Sequence, residues 1–167
     1  MGFSVHSVAL FASLLVVELA LVVSGNLFLL SIVVTASVFV MGTRADFETL
    51  AKKYEDAGHP AGPSGSVVGA SGVSHSFAFV VSSTTGGVDV VSDTALSVSE
   101  VDETKVLGFF AKVYDVKPRA AVLCVSPRLN PGAADLARQY GLTVIENDKP
   151  RELVGMLGKT IDKILGL

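Results

Sequence analysis

Polar positions are almost missing from the first quarter of the chain. The stretches "SVALFASLLVVELALVV" (residues 7–23) and "LFLLSIVVTASVFVM" (residues 27–41) are near-continuous apolar runs, separated by "SGN". A membrane-crossing helix needs about 20 such residues. The pattern therefore predicts a transmembrane helical hairpin over residues 1–42, turning at Ser24–Gly25–Asn26. Phe47, Leu50, Ala51 and Tyr54 then recur at helical spacing, which predicts a juxtamembrane amphipathic helix over residues 43–57. Residues 58–72, "GHPAGPSGSVVGASG", carry no carboxylate, Lys or Arg and read as a flexible linker.

From residue 73 the periods of an α/β domain take over, through residue 167. "VSHSFAFVVSS", "VDVVSD" and "ALSVSEV" read as three short strands, the first two joined by the turn "TTGG". A helix follows from Asp102 to Val116, with Val106, Phe109, Phe110 and Val113 as its apolar stripe. "AAVLCVS" is unbroken by polar positions, as in a strand buried on both faces. In "NPGAADLARQYG", Asn130 caps a helix, Pro131 takes its first position and Gly141 stops it. "LTVIEN" is a second buried strand, and a last helix opens at Pro150. The fold class expected is α/β: a three-layer domain with a mixed five-stranded sheet behind the hairpin.

Composition sharpens the first part of this picture. Half of the 167 residues are apolar, only 17% are charged, and mean hydropathy is +0.57. Glu18 is the one formal charge between residues 7 and 41. No Lys or Arg precedes the first run, which argues against a cleaved signal peptide. Arg44, Lys52 and Lys53 follow the second. Basic residues favour the cytoplasmic side, so the expectation is a two-span protein of the cell membrane with both termini cytoplasmic. Glu18 would lie level with Ser31 and Thr35 of the second span, whose hydroxyls could hold it. Glue within the hairpin or to another subunit is the reading preferred, and an ion or proton path stands beside it.

The remaining chemistry is sparse. A net charge of −3 points to no polyelectrolyte partner, and Arg119, Arg128, Arg138 and Arg151 are scattered without interleaved aromatics, so nucleic acid is only weakly indicated. The lone Cys124 lies in an apolar run and reads as a buried thiol. His59 and His75 have no carboxylate or cysteine cluster beside them in sequence. "TTGG" precedes a strand rather than a helix, so it is not a phosphate loop, and no nucleophile-elbow pattern is present.

The order of elements resembles the restriction-endonuclease-like fold of the PD-(D/E)xK superfamily, in an archaeal-type form. The similarity is carried by "GGVDVV", by "KVLGFFAKVY", by the strand ending "VSP" and by "AADLARQYGLTVIE", over residues 74 to about 148. In active members an Asp of the second strand and an E-x-K of the third converge on Mg²⁺. The resemblance places Asp89 at the first position, while "ALSVSEV" holds no Lys. The resemblance thus implies a pseudo-nuclease: a membrane-anchored, non-catalytic scaffold or accessory subunit without cofactor. Its partners would be membrane lipid and either other membrane subunits or further copies of itself. The alternative is a membrane-tethered nuclease, with Asp89 and Glu100 binding Mg²⁺ or Mn²⁺ and Lys105 as a migrated catalytic lysine.

Overall fold

A computed structural model describes residues 44–167 of the chain. Helix α1, residues 44–56, leads into five strands: β1 (Ala61–Pro63), β2 (Ser66–Val68), β3 (Ser74–Ser76), β4 (Phe79–Ser82) and β5 (Val88–Leu96). Then come α2 (Glu103–Val116), β6 (Ala120–Ser126), α3 (Pro131–Gln139), β7 (Thr143–Glu146) and α4 (Pro150–Leu165). The main sheet has the order β1-β4-β5-β6-β7. Its first three strands run antiparallel and its last three parallel. Strands β2 and β3 form a separate antiparallel pair.

Alternation along the strands builds two cores. Phe79, Val81, Val90, Val122, Cys124 and Ile145 point to one face, where Phe47, Ala51 and Tyr54 of α1 meet Leu153, Leu157 and Ile161 of α4. Val80, Val91, Leu123 and Val125 point to the other, against Val106 and Phe109 of α2 and Ala133 and Ala137 of α3. Burial on both faces is why β6 tolerates no charge. Helix ends follow local chemistry. The Asp102 side chain accepts from Thr104 N, and α2 stops at Lys117, whose φ is 53°. Asn130 accepts from Ala133 N and Pro131 follows at once.

Three expectations are corrected. Among the described residues no helix is long and apolar enough to cross a membrane. The hairpin expected over residues 1–42, with Glu18, Ser31 and Thr35, lies outside the described residues. The two-span architecture and the multi-pass membrane placement with cytoplasmic termini are therefore withdrawn. Helix α1, expected as a juxtamembrane amphipathic helix, is an integral element of the α/β domain. Its apolar stripe is used up against the sheet and α4, with Tyr54 fully buried.

The second correction concerns residues 58–72. They are no flexible linker, since they contain β1 and β2. The third concerns the strands after Gly87. "VDVVSD" and the start of "ALSVSEV" form one nine-residue strand, and the rest of the latter is loop. Three antiparallel strands do precede α2, but the first comes from the expected linker.

Candidate functional site

The shifted strands move the residues with candidate chemistry. Asp89 lies on β5, the third strand of the antiparallel part, not on the second. It sits where the pairing with β4 slips, since Val81 faces Val90 and Ser82 faces Val88. Such a bulge leaves one residue unpaired. The Asp89 carboxylate lies 4.0 Å from Nδ1 of His59, a buried ring nitrogen with no hydrogen-bond partner among the described residues. Glu100 lies beyond the opposite end of β5, in the loop before α2, where Arg128 holds it at 2.7 Å. A strand rises about 3.3 Å per residue, so the path from Asp89 to Leu96 alone covers roughly 23 Å. Lys105 is exposed in the first turn of α2. The structure does not bring Asp89, Glu100 and Lys105 together.

What the middle of β5 does present is Asp93, which the sequence reading passed over. It faces α2, and Lys112 Nζ donates to Asp93 Oδ2 at 2.8 Å and to the Ser76 carbonyl at 3.0 Å. The same ammonium lies 5.5 Å from the centroid of the Phe77 ring. The signal in the sequence was the charge itself. Asp93 is the one charge between Val90 and Ser99, and Lys112 is a charge flanking the apolar stripe of α2.

One turn further along α2, Asp115 gathers a second set of donors. Ser71 donates through its hydroxyl at 2.6 Å and its backbone N–H at 2.8 Å, and His75 Nε2 lies 2.7 Å away. The Ser71 hydroxyl, then His75, then the Ser71 N–H hold the Asp115 carboxyl down at about 2. The serine bonds the carboxylate rather than the imidazole, so this is no nucleophile–base relay. It clamps the β2–β3 hairpin onto α2.

A hard divalent cation needs several converging anionic oxygens. Among the described residues no three His, Cys, Asp or Glu side chains gather in that way. Asp89 and Glu100 stand at opposite ends of β5, and the Asp93 charge is balanced by Lys112. These residues do not fit Mg²⁺ or Mn²⁺ as the resemblance would have it.

No family model and no curated protein matches the chain. One solved structure with a similar backbone is titled "Crystal Structure of Protein of Unknown Function AF1548". It is 14% identical, with a TM-score of 0.46, over 59% of this chain and 56% of that one. The chain thus spans little more than half the length of that protein.

Proposed function

We propose that residues 44–167 act as a non-catalytic, restriction-endonuclease-like interaction module, a scaffold or accessory subunit of a larger complex. The single observation that carries this reading is the Asp93–Lys112 pair. The third antiparallel strand is where the resemblance calls for a carboxylate and a lysine side by side on one strand. Here the carboxylate comes from β5 and the cation from α2, and each is engaged with the other. A lysine bonded to a carboxylate and a carbonyl is not free to orient a water, and a neutralised carboxylate is a poor cation ligand. The order of one helix, three antiparallel strands, a helix and a parallel strand supports the resemblance on which the reading rests.

The test uses the full chain with Mg²⁺ or Mn²⁺ on single- and double-stranded DNA and RNA, beside Asp89→Ala and Asp93→Ala. The expected result is no cleavage above background in any of the three proteins. Cleavage by the wild type that either variant abolishes would overturn the proposal and restore the nuclease reading.

A further inference from the structure

The main sheet ends in two edges of different character. At one edge, β1 is three residues long and finishes in Pro63, which has no N–H to offer another strand. At the other, β7 is four residues, "TVIE", without proline or lysine. Among the described residues nothing pairs with its outer side. An edge of this kind is a template for a further strand unless something blocks it.

The backbone of β7 dictates how a strand could add. Asn147 N donates to Val125 O on β6 at 3.1 Å. Backbone direction alternates along a strand, so Thr143 and Ile145 share that inward orientation. Val144 and Glu146 then turn their N–H and C=O groups outward. Beside this edge, between β7 and α3, runs a groove of about 460 Å³ walled by Leu129, Ala134, Ala137 and Leu142. Arg138 and Glu146 line it as well. Glu146 marks the carboxyl end of the strand, where Leu129 N donates to its Oε1 at 2.6 Å. Arg138 stands in the last turn of α3, which is tied to the amino end of β7 because Leu142 N donates to Ala137 O at 2.9 Å. The pairing of Arg138 with Asp135 is 77% and 73% exposed, and such a pair is readily exchanged.

We infer that this edge binds a second copy of the chain, β7 to β7, antiparallel about a two-fold axis. A cation at one end of the edge and an anion at the other make the surface complementary to itself under that axis. The register follows from the outward groups. Val144 faces Val144 of the second copy, and the two exchange both backbone hydrogen bonds. Glu146 then faces Leu142 of the second copy, which brings its carboxylate to that copy's Arg138. A register centred on Ile145 would face inward-turned groups against each other, and a one-residue slip would put the facing side chains on opposite faces. The result is a continuous ten-stranded sheet. Two four-residue strands and a groove make a small interface, so the dimer is expected to have a Kd of about 1–100 µM. The inference is independent of whether the domain is catalytic, and its test has no catalytic readout.

The test is a mixing experiment on the full chain, with donor and acceptor dyes on the amino terminus and energy transfer as the readout. Arg138→Glu alone and Glu146→Arg alone each place like charges together in a homodimer and should weaken association about tenfold or more. Mixing the two variants puts a glutamate against an arginine at both contacts, so transfer should return to the wild-type level. A merely structural role of Glu146 would not be rescued by a change in the other molecule. Should Glu146→Arg fail to fold, Arg138→Glu still decides, because Arg138 is exposed and the Glu146–Leu129 bond is untouched. A wild type that stays monomeric to about 100 µM, or equal transfer in like and mixed pairs, would overturn the inference.

Discussion

Tyr54 tests whether α1 is part of the domain or only leads into it. Its side chain is fully buried, its ring centroid lies 6.3 Å from that of Phe79, and its hydroxyl donates to the Gly158 carbonyl at 2.8 Å. The same hydroxyl lies 3.0 Å from Asp162 Oδ1, which Lys53 also holds. Tyr54→Phe keeps the ring and removes the hydroxyl. One net hydrogen bond is lost and the Gly158 carbonyl loses its side-chain donor, so the cost should be about 1–2 kcal/mol. Tyr54→Ala empties a packed site between α1, α4 and the sheet and should cost about 3–5 kcal/mol. Urea unfolding followed by circular dichroism measures both.

The phenol adds a pH signature. Burial first, then the Asp162 hydrogen bond and charge, raise its ionisation well above the ordinary tyrosine value. A group raised in the folded state contributes in full below its unfolded value of about 10, and the contribution fades as pH climbs beyond that. Wild type should therefore lose stability above about pH 10 more steeply than Tyr54→Phe. A Tyr54→Ala protein within about 1 kcal/mol of wild type would refute the reasoning, because no core tyrosine is that cheap to lose.

Three further predictions concern buried or clamped groups. A Cβ at residue 69 would collide with the Asp115 carboxylate, so Gly69→Ala should free the β2–β3 hairpin. Limited proteolysis should then cut between residues 64 and 77 faster, as in Asp115→Asn. The clamp itself is acid-resistant. Because the Asp115 value is lowered, its stabilisation is complete above about pH 4 and is lost only as pH falls toward about 2. Hairpin protection measured by hydrogen exchange at pH 3 should persist. Cys124 is 1% exposed, and burial pushes its thiol up to about 11. Iodoacetamide should modify it roughly 100-fold more slowly in the native chain than in urea.

The elements legible in the sequence were those with strong local punctuation. α2 starts where Asp102 caps it, α3 starts at Asn130–Pro131, and β6 and β7 are apolar runs between turn residues. The segment 58–72 misled because Gly, Pro and Ser composition describes a chain without partners. Here Ala61–Pro63 pairs with Phe79–Val81, residues some eighteen positions away. The boundary inside "VDVVSDTALSVSEV" also misled, since β5 runs through Asp93 and Thr94 without a break. Asp93 is tolerable inside a strand only because Lys112 arrives from α2.

Local sequence by itself determined the caps, the turns and the buried strand β6, because each rests on groups within four or five residues of one another, whereas β7, expected as a second buried strand, lies at the edge of the sheet with Thr143 and Glu146 exposed. Tertiary structure alone decided the site. It set Asp89 and Glu100 toward opposite ends of one strand, brought Lys112 across to Asp93, and, among the described residues, left β7 as an open edge with charges of opposite sign at its two ends. These are distances between residues far apart in the chain, and no local period encodes a distance of that kind.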